Sequence, residues 1–181
     1  MYRKVCLFDY VSKQDFEFQI KKIAPESIEE LMAVSCLNNN SVKKFFNAKF
    51  SEIREYEHAL LEPVLKETYG KIIYQEQIIQ ILHILGDFSL AHADIIRRLM
   101  LKEATNEYYN RRDDFIESAC NKNMNKTDAK LLWEHLSNIS KDCRMKAHQI
   151  SFVLMSYCNL YLLLKNGFKQ FNGEENYEKE V

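Results

Sequence analysis

The chain has 181 residues, 46% of them apolar, and a formal net charge of −1. That length and apolar content suit one domain with a real core, and the near-neutral charge excludes a protein that coats nucleic acid through bulk electrostatics. Only four Gly and two Pro interrupt it, and alternating runs of Val, Ile and Thr are hard to find, so an all-α, multi-helix fold is expected.

The first dozen residues fit a short strand or an extended lead-in. Ser27-Ile28-Glu29-Glu30 spells a capping box, in which the Ser hydroxyl and the Glu carboxylate each satisfy an end amide. Its helix should run to about Cys36. Asn38 to Ser41 reads as a loop, with Ser41 a cap for a helix over 42–50. Glu52 to Tyr69 looks helical, broken or kinked at Pro63. Gly70 allows the turn into a helix from Ile72 to Leu85, with Ile78, Leu82 and Leu85 on its buried face. Gly86 fits a left-handed stop.

Ser89 can cap a short helix to Leu101, and Thr105 another to about Cys120. Thr127 with Asp128 starts a helix carrying Trp133. The last helix runs from about Lys146 to Lys165 and ends at Gly167. Its stretch from Ile150 to Leu164 is the most apolar of the chain, but it is shorter than a membrane span and holds Ser151, Ser156 and Asn159. It reads as the buried helix around which seven or eight helices pack. Residues 1–172 then form one domain. The acidic tail 173–181 lacks an apolar face and is expected to be disordered.

The five cysteines, Cys6, Cys36, Cys120, Cys143 and Cys158, are odd in number and form no C-x-x-C pair. Reduced thiols in a cytoplasm suit them better than a disulfide framework. Arg3, Lys4 and Asp9 interrupt any signal-peptide pattern. His92, Cys120, His135, Cys143 and His148 contain no recognised zinc spacing, so no metal site is expected. A Cys143–His148 nucleophile lacks an identifiable orienting group. Tyr108 and Tyr109 beside Arg111 and Arg112 either stack on bases or cover a helix flank.

Three segments carry a resemblance. His58 to Gly70 reads H-A-L-L-E-P-V-L-K-E-T-Y-G, followed by Tyr74-Gln75-Glu76-Gln77. Ala93 to Met100 reads A-D-I-I-R-R-L-M, with Lys102 two residues on. Lys146-Ala147-His148 is followed by Ser156-Tyr157. In order and spacing they resemble the fingers region of C-family replicative DNA polymerases, the bacterial polymerase III alpha subunits, from about Phe16 to Phe168. Arg112, Phe115 and Glu117 sit where that family has Q-R-x-x-F-x-E.

The resemblance implies an all-α fingers-like domain. It implies that Arg97, Arg98, Lys102, Lys146 and His148 face phosphates of DNA or of an incoming dNTP. The bland alternative pairs Asp94 with Arg98 on a solvated surface and makes Lys146 and His148 a polar helix start. Tyr74, Gln75, Glu76 and Gln77 are either scaffold or substrate-facing. The family's metal-binding aspartates lie in the palm, upstream of the fingers, and none can be matched here. Two-metal phosphoryl transfer needs them, so no catalysis is expected from this chain alone, and Mg²⁺ is expected only with a palm domain.

Several fingers motifs differ. Asn38 to Val42 replaces Y-R-P-G-P, Lys141 to Met145 replaces G-Y-G-F-N, and Glu103 replaces the second Lys of a K-K pair. The implied partners are DNA and dNTP, or a polymerase palm or replisome protein, with no membrane. The chain then reads as a stand-alone relic, a split-polymerase piece or an excised domain. The rival reading is a degenerate homologue acting as a protein-interaction or polymerase-interfering module.

Overall fold

The computed structural model describes residues 22–37, 39–51, 56–102 and 105–166. The helices among them are α1 (Ile28–Cys36), α2 (Asn39–Lys49), α3 (Glu62–Leu65), α4 (Gln75–Gly86), α5 (Leu90–Leu99), α6 (Asn106–Asn121), α7 (Lys126–Ile139) and α8 (Lys146–Asn166). Single 3-10 turns at Ala59–Leu61 and Lys66–Thr68 flank α3. No strand forms among the described residues, and the fold is all-α as expected. The expectations for the first dozen residues, for Gly167 and for the acidic tail lie outside the described residues.

Local chemistry starts most helices. The hydroxyls of Ser27, Ser89 and Thr105 accept from the amides of Glu30, His92 and Tyr108, filling orphan donors at each N-terminus. The expected capping box does not close on Ser27, because the Glu30 side chain turns to the residue before it. The Glu30 carboxylate accepts from the Glu26 amide at 2.7 Å and from the Lys49 ammonium at 2.9 Å, and it takes the Tyr69 hydroxyl. One buried carboxylate thereby ties α1 to α2 and to the turn after α3.

Four boundaries differ from expectation. Helix α2 begins at Asn39 rather than after Ser41. Of the segment expected to be helical from Glu52 to Tyr69, residues 52–55 lie outside the described residues; 59–68 form two 3-10 turns around a four-residue helix, with Pro63 in the first turn of α3 and Tyr69 at a left-handed φ of 54°. Helix α4 begins at Gln75, since the backbone at Tyr74 is extended. Asn125 rather than Thr127 caps α7, its side chain accepting the Thr127 amide at 2.9 Å.

Gly86 is helical, and the left-handed residue is Asp87, with φ 56°. The glycine serves packing: a Cβ there would lie 2.7 Å from the Phe88 ring and 2.8 Å from the Phe115 ring. Lys122 closes the same helix end. Its ammonium donates to the Ile84 carbonyl at 2.6 Å and pairs with Asp87, as suits a cation at a helix C-terminus.

Among the described residues the main core is built on α4 rather than on the final helix. Ile78, Ile81, Leu82 and Leu85 are fully buried. They meet Ala93 and Ile96 of α5, Phe115 and Ala119 of α6, and Leu132, Trp133 and Leu136 of α7. A smaller cluster joins Val34, Val42 and Phe45 to Ile73 and Tyr74. Helix α8 packs against α1, where Ser35 Oγ donates to Gln149 Oε1 at 3.1 Å. Val153 is buried, whereas Ile150, Leu154, Met155 and Tyr157 are exposed. Central position follows from apolar residues repeating around α4 on three sides, a demand the described part of α8 does not make.

Candidate phosphate-binding surface

Helix α5 ends in two arginines that share one carboxylate. Arg97 directs Nε (3.1 Å) and Nη2 (3.0 Å) onto Asp94 Oδ1. Arg98 directs Nη2 onto Asp94 Oδ2 at 2.7 Å. Their settings differ: the Arg97 side chain is 9% exposed and that of Arg98 is 69% exposed. Arg97 therefore braces Asp94 from within, and its own carbonyl accepts from Ser140 Oγ at 3.4 Å. Arg98 presents donors to solvent. Lys102 is exposed just past the helix and has no carboxylate partner among the described residues.

Burial alone pushes the Asp94 carboxyl up, but hydrogen bonds from Arg97 and Arg98 outweigh it and hold the group below its ordinary value. A folded-state value below the unfolded one stabilises above the ordinary carboxylate range, near about pH 3.9. The contribution is lost as pH falls through the lowered value. Asp94→Asn is therefore expected to lower the Tm at neutral pH and to flatten the acid limb of a Tm-against-pH curve. An unchanged acid limb would show that the shared pair contributes nothing.

The second cationic group lies where α4 meets α8. Arg144 donates its amide to the Ile73 carbonyl at 3.2 Å, and the Gln75 amide donates to the Arg144 carbonyl at 2.9 Å. This parallel bridge joins Tyr74 to Arg144. Gln75 Nε2 adds a bond to the Cys143 carbonyl at 3.0 Å. Glu76 accepts the amides of Lys146 (2.9 Å) and Ala147 (3.4 Å). A carboxylate there suits the positive end of the helix, and it occupies amides that would otherwise face an anion.

Gln77 looks inward. Its Oε1 accepts from Ile73 N (2.8 Å) and Tyr74 N (3.0 Å), and its Nε2 donates to Thr68 Oγ1 (2.8 Å) and the Val64 carbonyl (3.3 Å). Tyr74 is buried, and burial pushes its hydroxyl well above the ordinary value. Lys146 lies 5.8 Å over the Tyr74 ring and pairs with Glu67. His148 is exposed on the first turn of α8.

The five cations named from sequence thus fall into two settings: Arg97 and Arg98 on Asp94 with Lys102 just past the end of α5, and Lys146 and His148 at the start of α8. Sequence reading missed Glu67 as the partner of Lys146 and Glu76 as the carboxylate on the α8 amides. Glu67 stands in the quoted motif, but nothing local signals a partner far along the chain.

Among the described residues, no three His, Cys, Asp or Glu side chains stand close enough to hold a metal ion. Cys36, Cys120, Cys143 and Cys158 are free thiols. Burial pushes Cys143 up to about 12 and Cys36 up to about 11, so neither supplies the thiolate that attacks an electrophile at neutral pH. No single helix among the described residues is long and apolar enough to cross a membrane.

The family model described as "Bacterial DNA polymerase III alpha subunit finger domain" matches residues 13–152. The chain belongs to that family. The finger domain described here is 33% identical over 147 residues to the DNA polymerase III subunit alpha of Chlamydia pneumoniae, covering 78% of this chain and 12% of the relative. With the same subunit of Buchnera aphidicola the identity is 34% over 155 residues, covering 79% and 13%. With that of Borreliella burgdorferi it is 32% over 184 residues, covering 99% and 16%. The chain therefore spans only about an eighth to a sixth of the relatives it matches. Both cationic settings of the finger domain fall inside the matched residues.

Proposed function

We propose that this chain is a fingers module that contacts DNA and the phosphates of an incoming nucleotide, with bond making left to metal-binding carboxylates of a palm. The observation that carries the reading is the finger-domain match taken together with exposed cations at the places the family motifs supply, above all Arg98 at 69% side-chain exposure. Arg98, Lys102, Lys146 and His148 take the phosphate contacts. Arg97 takes a supporting part by fixing Asp94, which in turn orients Arg98. The planar fork of Arg98 pairs with phosphate oxygens better than an ammonium would. Because Glu76 already holds the first amides of α8, the contribution there comes from the Lys146 and His148 side chains. Mg²⁺ enters with the palm. Free thiols suit a reducing cytoplasm.

Fluorescence anisotropy with primer–template DNA and dNTP at low salt tests this. Charge reversal at Arg98, Lys102 or Lys146 is expected to weaken binding, each lost phosphate contact flattening the salt slope by about 1. A wild-type chain with no affinity at low salt overturns the reading.

A second reading is favoured by one observation. Ile150, Leu154 and Tyr157 recur at helical spacing on α8 and are exposed. They suit a protein-interaction or polymerase-interfering module. A stable protein partner in a pull-down, together with no nucleic-acid affinity, would select it. Primer extension with a palm supplied in trans separates both from a split enzyme.

A further inference from the structure

We propose that a cleft between the end of α5, α6 and α7 binds one unpaired base of a single-stranded nucleic acid together with a neighbouring phosphate. The cleft has a volume of about 320 Å³, and its lining includes Lys102, Tyr108, Tyr109, Arg112, Glu134 and Asn138. That volume lies at the small end of the range for ligand sites, about 300–1,000 Å³, and matches a single base better than a whole cofactor.

Each lining group has a use. Tyr109 is 44% exposed, and the Arg112 guanidinium lies 5.1 Å from its ring centroid. Two planar, stackable groups therefore stand together at the surface, as in sequence-tolerant single-strand sites. Arg112 also holds the neighbouring Asp113 at 2.9 Å, an exposed pair of little energetic weight that a phosphate can displace. Tyr108 is fixed as a wall. Its hydroxyl shares a hydrogen bond with Ser137 at 2.8 Å, and its ring meets Tyr109 and Trp133 edge to face. Lys102, without a carboxylate partner among the described residues, supplies the phosphate charge. The Glu134 carboxylate and the Asn138 amide can take an exocyclic amine on the base edge. Duplex DNA keeps its bases stacked, so the cleft selects an unpaired one. The inference goes beyond the phosphate reading above and shares only Lys102 with it.

The test compares oligodeoxyadenylate with an abasic oligonucleotide of equal length, read by anisotropy and by Trp133 emission. Trp133 is the only tryptophan, and Tyr108 contacts it at 5.6 Å between ring centroids. The base-bearing strand is expected to bind about tenfold or more tighter than the abasic one and to change Trp133 emission. Tyr109→Leu, which keeps apolar bulk but removes the aromatic face, and Arg112→Ala should each reduce its affinity towards the abasic level. Both sites are on the surface, and circular dichroism verifies that the variants fold. Equal affinity for the two strands, unchanged affinity in both variants, or no change in Trp133 emission at saturation would each overturn the proposal. If charge reversal at Arg98 and Lys146 has no effect while the base-dependent signal persists, the phosphate reading fails and the cleft stands.

Discussion

Gln77→Leu is expected to destabilise the domain by about 3–5 kcal/mol, since each buried polar group left unsatisfied costs about 1–3 kcal/mol. Leucine is close to glutamine in size but pairs with none of the four groups that Gln77 holds: the amides of Ile73 and Tyr74, the Thr68 hydroxyl and the Val64 carbonyl. Loss of about 10 °C in Tm follows for a domain of this size. Function should fall with stability, because Gln77 fixes the start of α4, and the next residues back, Gln75 and Glu76, hold the segment that opens α8. Thermal melting and DNA anisotropy should therefore move together. Gln75→Ala removes one partly exposed bond and should cost about 1 kcal/mol. A Gln77→Leu chain that melts like wild type would show that water reaches these amides and that the side chain is no strut.

The second large effect is Trp133→Ala, expected to cost about 3–5 kcal/mol in chemical denaturation. Trp133 is fully buried and packs against Phe115 at 5.4 Å and Tyr108 at 5.6 Å between centroids. It joins α6 to α7 beneath the cleft. Its indole Nε1 is buried without a hydrogen-bond partner among the described residues, so the ring contributes through packing. Trp133→Phe retains aromatic contacts and removes that unsatisfied donor, and should cost clearly less than the alanine. Equal losses for the two variants would show that the indole nitrogen matters in a way its contacts do not reveal.

Much of the fold was readable locally. Ser27, Ser89 and Thr105 cap helices because a short hydroxyl reaches an amide three residues on, a relation written within one turn of chain. Ile78, Leu82 and Leu85 share a face because the helical period brings them together. The all-α class follows from few breakers and no alternating β-branched runs. Membership of the finger-domain family was legible from the H-A-L-L-E-P run, the A-D-I-I-R-R run and the K-A-H triplet in order.

Gly86 shows the limit: glycine after a helical run suggests a left-handed stop, but here two phenylalanine rings, one of them on α6, demand the missing Cβ. The apolar sequence of α8 suggested a central helix, yet its described part rests on α1 with Ile150 and Leu154 exposed. Apolar content alone does not say which helix is surrounded.

What the sequence determined by itself is the kind of elements, the starts of α1, α5, α6 and α8 and the lineage of the chain, because those depend on relations a few residues long or on ordered motifs. Only the tertiary structure decided that Asp94 holds a buried Arg97 and an exposed Arg98, that Glu76 closes α8, that Glu67 meets Lys146, and that Lys102, Tyr109 and Arg112 line one cleft. Those outcomes depend on how packed helices bring distant side chains within a few ångströms, and burial then separates neighbouring cations of the same type into a brace and a surface contact.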